Sequence, residues 1–275
     1  MTGAPQTENR HGNGFWCILR ERLDPQRQDE VLSRIAVISD IHSNWQALQT
    51  VWRAIVDAEC DQVICLGDVV GYGARPAECL RFVREKGWTW IQGNHDALVG
   101  DRDLSLPFNP ISLMAVEHNR DLLSPEEQRF LRELPWRQHP REGLFLAHGS
   151  YRDRDRYLLH HAHCQDEAGH LRQRHGGGGV CFFGHTHQPV ISDDTGFRSL
   201  KEGAVRLDPN AMTLINPGSV GQPRDWDPRA AYAIWDTEVG TIDLQRLPYD
   251  VEAARREILD AGLPARLGDR LLQGR

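Results

Sequence analysis

From residue 34 onward, short apolar runs alternate along the chain with amphipathic stretches. The run Ile35–Ile38 is continuously apolar, as expected of a strand buried on both faces of a sheet. From Trp45 to Ile55 apolar residues recur at helical spacing, which predicts an amphipathic helix. The alternation repeats with an apolar run at 63–66, a helix near 77–86 and a strand through 88–91. This pattern predicts an α/β domain with an at least partly parallel sheet.

The second half of the chain has a different pattern, in which apolar runs are separated by Gly, Pro and Asp turns. These runs are Leu144–Ala147, Val180–Phe183, Met212–Ile215, Tyr232–Trp235 and Ile242–Leu247. They predict a second, more antiparallel sheet. Ser124 is followed by Pro and Glu in the arrangement of a helix start, so a helix should run to about Leu134. A further helix is predicted at Val251–Leu259, with Gly262 as its C-cap.

Composition and charge restrict the classes of function. We predict a poorly ordered polar extension at 1–33, one domain at 34–250 and a helical tail at 251–275. Apolar residues make up 40% and charged residues 26%, and no run of eighteen apolar residues is present, so no membrane partner is expected. The net charge of -7 disfavours binding to long nucleic acid. The six cysteines form no CxxC pair, which favours a reducing, cytoplasmic location.

Short polar motifs follow the apolar runs and carry the candidate chemistry. They are Asp40-x-His42, Gly67-Asp68, Gly93-Asn94-His95-Asp96, His148-Gly149 and Gly184-His185-x-His187. One such motif is weak evidence, because polar residues often cap strand ends. Their joint occurrence at the ends of buried strands is improbable as coincidence. Since ligands of open α/β sheets bind beyond the carboxyl ends of the strands, these side chains are expected to meet at one metal site.

The order and residue types of these motifs resemble those of the calcineurin-like metallophosphoesterases, over roughly Ile35 to Leu247. The resemblance implies a four-layer α/β/β/α sandwich of two mixed sheets. It also implies two metal ions bridged by the carboxylate of Asp68. The further ligands of the first ion would be Asp40, His42 and His187. Those of the second ion would be Asn94, His148 and His185. Oxygen and imidazole donors in these proportions suit Mn, Fe, Zn or Co better than Ca or Mg, and we favour Mn.

The same resemblance implies hydrolysis of a phosphomonoester or phosphodiester by a metal-bridging hydroxide. In this family pattern His95 is not a ligand; it donates a proton to the leaving group or stabilises charge on the phosphoryl oxygens. Protein phosphatases of the family continue their second motif as Gly-Asp-x-Val-Asp-Arg-Gly, whereas here Asp68 precedes Val-Val-Gly-Tyr-Gly, which resembles a bacterial subgroup of small phosphoesterases. Serine/threonine phosphatase activity is therefore disfavoured. The group that orients His95 is left open, with Asp96 as one candidate.

Substrate contacts are less well indicated, and each candidate has a structural alternative. Asn44 follows the first motif and is also placed to cap the next helix, which we favour. Arg75 could bind a phosphate or face solvent at a helix start. Ser219 lies in a segment, 216–224, that resembles a loop reaching toward the metals and also fits a tight turn. The His-rich segment 160–175 matches no family motif and is interpreted as solvated helix and loop.

Two other functions stay open. The fold could serve as a non-catalytic metal-binding scaffold, although the complete ligand set disfavours this. A nucleotide-directed nuclease is the second alternative, limited by the net charge to short substrates. The expected partner is a small phosphorylated substrate, with nucleotides included, and the sequence gives no oligomeric state.

Overall fold

The computed structural model describes residues 33–101 and 109–275. The extension predicted for residues 1–33 falls, apart from Ser33, outside the described residues and stays a prediction. The strands are β1 (Arg34–Ile38), β2 (Gln62–Cys65), β3 (Thr89–Trp90), β4 (Arg137–Arg141), β5 (Leu144–Ala147), β6 (Gly179–Phe182), β7 (Val190–Asp193), β8 (Gly196–Ser199), β9 (Gly203–Arg206), β10 (Met212–Asn216), β11 (Ala230–Asp236) and β12 (Thr241–Leu247). The helices are α1 (Trp45–Asp57), α2 (Pro76–Lys86), α3 (Asn94–Gly100), α4 (Pro110–Leu122), α5 (Pro125–Glu133), α6 (His161–His175), α7 (Val251–Asp260) and α8 (Ala265–Asp269), followed by a 3-10 turn at Leu271–Gln273.

Two mixed sheets form the centre of the fold. The first has the strand order β12-β11-β1-β2-β3, in which β1, β2 and β3 are parallel and β11 is antiparallel to β1. The second has the order β4-β5-β6-β10-β7-β8, in which β5, β6 and β10 are parallel. Each sheet therefore contributes three neighbouring parallel strands, and the prediction of two mixed sheets is confirmed.

The predicted membership of the second sheet was wrong for its last two runs. Strand β11 pairs with β1 and with β12, so both strands extend the first sheet. Along β11, Ala231, Ala233 and Trp235 face the other sheet, while Tyr232 and Ile234 face the helices. This alternation looks the same in either sheet, so the sequence pattern alone could not assign the strand.

Three apolar layers separate the four layers of secondary structure. On one side of β1, Ala36 and Ile38 pack in the core that contains α1 and α2, while Ile35 and Val37 pack in the core between the sheets. This explains the unbroken apolar run of β1, because both of its faces are covered. Helix α6 closes the outer face of the second sheet through a core that includes Leu171. The α/β/β/α sandwich is confirmed.

Local signals located several helices accurately. Ser124 accepts a hydrogen bond from the Glu127 N–H, and the Glu127 carboxylate accepts one from the Ser124 N–H, so α5 begins with the predicted capping box. Helix α7 ends at Asp260 with Ala261 as its cap, one residue before the predicted Gly262. None of the helices in the described ranges is both long and apolar enough to cross a bilayer.

Candidate metal centre

The predicted ligands lie where the carboxyl ends of the parallel strands of both sheets meet. Asp40, Asp68 and Asn94 follow β1, β2 and β3, while His148 and His185 follow β5 and β6. Several of these residues have an unusual main-chain conformation. Positive φ angles between 48° and 66° occur at Asp40, His42, Asp68, His185 and His187. Non-glycine residues rarely adopt this region, and such strain is concentrated at functional sites.

Ligand-type atoms of these side chains converge in three overlapping groups, each with all its atoms within 4.8 Å of one another. The groups are Asp40, His42 and His187; His42, Asp68 and His95; and Asp68, His148 and His185. Asn94 joins the third group, because its Oδ1 lies 3.0 Å from His148 Nε2. Asp68 is common to two groups, which is the position that a bridging carboxylate needs. All of these side chains are buried.

Hydrogen bonds to main-chain carbonyls fix the tautomers of three histidines. Nδ1 of His42 lies 3.1 Å from Val70 O, Nδ1 of His148 lies 2.8 Å from Leu66 O, and Nδ1 of His187 lies 2.6 Å from Gln222 O. A carbonyl can only accept, so Nδ1 carries a proton in all three, and Nε2 of the neutral His42 and His187 presents a lone pair to the cluster. His185 differs, because its Nε2 lies 3.2 Å from Asp155 O and Nδ1 is left for an ion.

The resulting arrangement places hydrogen-bond acceptors against one another. His42 Nε2 and His187 Nε2 are 3.1 Å apart, and the tautomers assigned above leave no proton between them. Asp40 Oδ1 is buried, and it has no hydrogen-bond partner among the described residues. Facing lone pairs and an unpaired buried carboxylate oxygen are unfavourable unless a cation lies between them, so the donor set fits divalent metal ions.

Electrostatics keep most of the cluster in the protonation state that a metal requires. Burial raises the pKa of Asp40, but the combined effect of His187 and His148 lowers it by more. The net shift is downward, and the carboxylate is ionised. The pKa of Asp68 is likewise lowered, because His148 and His95 outweigh burial. Burial lowers the pKa of His42, which is therefore neutral at pH 7. His148 is the exception: burial lowers its pKa, but Asp68 and Asp40 raise it to about 9.

Close main-chain packing holds the ligand-bearing loops together. A Cβ at Gly93 would lie 2.0 Å from Asp68 Oδ1, and a Cβ at Gly184 would lie 2.0 Å from Ser39 Oγ. Both distances are far below a van der Waals contact, so each position needs glycine. The loop after β3 thereby touches the ligand that follows β2, and the loop after β6 touches the end of β1.

His95 lies inside the cluster at the start of α3. Its main-chain N–H donates to Asp68 Oδ1 at 2.8 Å, and its ring packs 4.3 Å from the Tyr72 ring. Burial lowers the pKa of His95 to about 4, so the imidazole is neutral at pH 7. Asp96 accepts hydrogen bonds from the main-chain N–H groups of Asp68, Val70 and Gly93. These bonds tie the loops after β2 and β3 to each other.

The three predicted substrate contacts are engaged within the protein. Asn44 caps α1 through the Ala47 N–H, the alternative favoured from the sequence, and its Nδ2 donates to Gly221 O. Arg75 forms ion pairs with Glu78 at 2.6 Å and Glu257 at 3.1 Å. A substrate role for either residue stays a prediction.

Ser219 lies in the segment 217–229, which connects β10 in the second sheet to β11 in the first. Its Oγ donates to Asp40 O at 2.8 Å. Further along the segment, Gln222 O is the partner of His187 Nδ1, and the Arg224 N–H donates to His187 O. The segment thus contacts ligand-bearing loops of both sheets. We call it the crossing loop.

A pocket of about 280 Å³ opens at the cluster. Besides the predicted residues, it is lined by Tyr72, Asn109, Ser112, Asp155, Tyr157 and Arg224. The Tyr157 ring stacks on His185 with centroids 3.8 Å apart. Arg224 belongs to a loop that the sequence had singled out, whereas Tyr157 follows no motif and no pattern could have indicated it. The His-rich segment forms α6 and does not line this pocket.

Comparisons with known proteins agree with this architecture. Residues 34–240 match a family profile described as the calcineurin-like phosphoesterase superfamily domain. An uncharacterized protein of Methanocaldococcus jannaschii is 35% identical over 249 residues, which are 89% of this chain and 100% of that protein. The crystal structure of a metallophosphoesterase from Sphaerobacter thermophilus superposes with a TM-score of 0.75 at 32% identity, covering 88% of this chain and 99% of its own. A symmetrical bis(5'-nucleosyl)-tetraphosphatase of Actinobacillus pleuropneumoniae is 31% identical over 121 residues, which are 41% of this chain and 43% of that protein.

Proposed function

Because the chain belongs to the calcineurin-like phosphoesterase superfamily, we propose that it hydrolyses a phosphomonoester or phosphodiester with two divalent transition-metal ions. One observation carries this proposal: the lone pairs of His42 Nε2 and His187 Nε2 face each other at 3.1 Å beside the unpaired oxygen of Asp40. A purely structural polar cluster would have its acceptors matched by donors. Phosphoester hydrolysis uses such a cluster, because metal ions neutralise the charge that develops on phosphorus-bound oxygens.

We assign the ligands in two sets that share a carboxylate. The assignment is Asp40, His42 and His187 for the first ion; Asn94, His148 and His185 for the second; and Asp68 for both. The mixed oxygen and imidazole donors suit Mn, Fe, Zn or Co, with Mn as the first choice. When bound, such ions act as Lewis acids toward a phosphoryl oxygen and lower the pKa of water to near neutrality.

The protein residues around the ions bind and orient the substrate. His95 lies next to Asp68 and lines the pocket, from which its ring can hydrogen-bond to a phosphoryl oxygen or to the leaving oxygen. Its low pKa makes it neutral before the substrate binds. A phosphate dianion beside the ring raises that pKa, which favours a hydrogen bond from the imidazole to the phosphoryl group.

A small phosphorylated molecule is the substrate class that fits the pocket, and nucleotides are the class to examine first. The pocket of about 280 Å³ lies near the lower end of the usual range for small-molecule sites. The Actinobacillus relative is named for a bis(5'-nucleosyl) tetraphosphate, and it matches 41% of this chain. This partial match supports testing nucleotides without extending that activity to the present protein.

The decisive experiment measures metal-dependent hydrolysis of p-nitrophenyl phosphate and bis-p-nitrophenyl phosphate. Protein stripped with a chelator is expected to be inactive and to regain turnover with Mn. Asp68→Asn should lose at least about 100-fold in kcat/KM, because a shared ligand of both ions is weakened. Asp57→Asn makes the same change of charge on the exposed end of α1 and should keep full activity.

Metal analysis supplies a second readout. Reconstituted wild-type protein should hold close to two ions per chain, and Asp68→Asn should hold fewer. A folded protein that shows no metal-dependent turnover of either ester and retains no transition metal would refute the proposal. Preference for one of the two esters separates monoesterase from diesterase activity.

A further inference from the structure

Two arginines lie beside Tyr72, a residue that lines the metal pocket. The guanidinium of Arg224 is 5.7 Å from the Tyr72 ring centroid, and that of Arg270 is 6.0 Å from the same centroid. Arg224 and Tyr72 both line the pocket, together with His95 and His187. Arg270 comes from the C-terminal segment that packs against Tyr72 through Leu267 and Leu271.

Among the described residues, neither arginine is ion-paired with an Asp or Glu side chain. Arg224 donates to the amide oxygen of Gln222 at 2.8 Å, and its buried Nε has no hydrogen-bond partner in the described ranges. Arg270 donates from Nε to the main-chain oxygen of Arg275. Other arginines near the site do have such partners, as Arg75 has with Glu78 and Glu257. No acidic side chain of the described residues therefore pairs with the two guanidinium groups beside Tyr72.

The positive charges of the two guanidinium groups also repel each other. Burial and the neighbouring charge of Arg224 together lower the pKa of Arg270 to about 10. Two partly buried like charges are unfavourable unless an anion lies nearby. Arginine offers several N–H donors in a planar fork that matches the oxygens of a phosphate group. The metal cluster receives the phosphate that reacts. The anion beside the two arginines would therefore be a second phosphate group of the same substrate.

We infer that Arg224 and Arg270 form a subsite for a second phosphate group, and that the preferred substrate carries a phosphoanhydride, as nucleoside diphosphates and polyphosphates do. This inference rests on the proposed hydrolase function. The hydrogen bond to Gln222, which also lies in the crossing loop, holds the Arg224 side chain. The Nε–H of Arg224 is left to bind the phosphate. Arg270 approaches from a different segment of the chain, so the subsite depends on how the C-terminal helices pack.

The test compares inorganic diphosphate with inorganic phosphate as competitive inhibitors of p-nitrophenyl phosphate hydrolysis at a fixed concentration of free Mn. The wild-type protein should bind diphosphate at least about tenfold more tightly, since charge-assisted hydrogen bonds of arginine contribute this much or more. Arg270→Gln should reduce that preference about tenfold, and Arg270→Lys should restore part of it. Arg256→Gln removes one positive charge from an exposed position on α7 and should leave the preference unchanged.

Calorimetry with the same two anions and metal-loaded protein keeps this inference separate from the proposed function. If no ester is hydrolysed but diphosphate binds preferentially through Arg270, the subsite stands and the hydrolase proposal fails. If p-nitrophenyl phosphate is hydrolysed but wild-type protein and Arg270→Gln show the same ratio of the two inhibition constants, the subsite is overturned and the hydrolase proposal stands. A ratio near one for the wild-type protein, that is, equal inhibition constants for diphosphate and phosphate, would also overturn the subsite.

Discussion

Replacing Gly93 by alanine tests whether close packing of the loops positions the metal ligands. The new Cβ would lie 2.0 Å from Asp68 Oδ1 and 2.4 Å from Asp68 N. Cβ contacts under 3.0 Å are essentially never seen, so the carboxylate oxygen must move by 3.0 − 2.0, or about 1 Å, if the loops hold their places. Metal–ligand distances tolerate only about 0.2 Å. The same oxygen accepts the His95 N–H, so His95 must shift as well.

Two consequences of Gly93→Ala follow, and their magnitudes differ. Overpacking of this kind lowers the free energy of unfolding by roughly 1–3 kcal/mol. Misplacement of a reacting group by about 1 Å costs on the order of 100-fold in rate. We therefore expect a folded protein of reduced stability, with kcat/KM for p-nitrophenyl phosphate lowered at least about 100-fold and with less metal retained.

Urea unfolding of the metal-free protein, steady-state kinetics with Mn and metal analysis measure these effects. Gly169→Ala is the matched control: Gly169 is exposed on α6, and a Cβ there meets no atom within 4 Å. That variant should be as active as the wild type and up to about 1 kcal/mol more stable, because alanine is the better helix former. The reasoning is refuted if Gly93→Ala binds two ions and keeps its activity within about threefold of wild type.

Two further predictions concern protons and helix capping. Because the pKa of His148 is raised to about 9 in the ion-free protein, its imidazole is protonated at pH 7 and must lose that proton to bind a metal. Metal binding should therefore release about one proton from His148 at pH 7, and the affinity for the metal should rise as the pH approaches 9. Calorimetry in buffers of different ionisation enthalpy measures the number of protons released. A release of zero protons would contradict the prediction. Ser124→Ala removes the side-chain cap of α5 and should lower the free energy of unfolding by about 1 kcal/mol without changing kcat/KM; an unchanged urea midpoint would count against this.

The sequence located the candidate site because each motif follows a strand whose apolar run is visible without any alignment. Asp40, Asp68 and Asn94 could be placed together, since their parallel strands bring their carboxyl ends to one edge. His148 follows a strand of the other sheet, and the family resemblance placed it with them. The assignment of β11 to a sheet depended on which neighbour it pairs with, and an alternating pattern does not contain that information. Arg270 lies far from every motif, and only the packing of the C-terminal segment against Tyr72 brings it near the pocket. Contacts of this kind are set by tertiary structure and leave no local pattern.

The crossing loop both contacts the ligand-bearing loops and lines the pocket. Ser219 and Gln222 contact the loops that carry Asp40 and His187, and Arg224 extends from the same stretch into the pocket. An insertion or a shift of register here would change the lining of the pocket and would also displace the candidate metal ligands of both sheets. Attempts to redirect this protein to new compounds should therefore leave the loop intact and randomise Tyr157, which lines the pocket from an independent part of the chain.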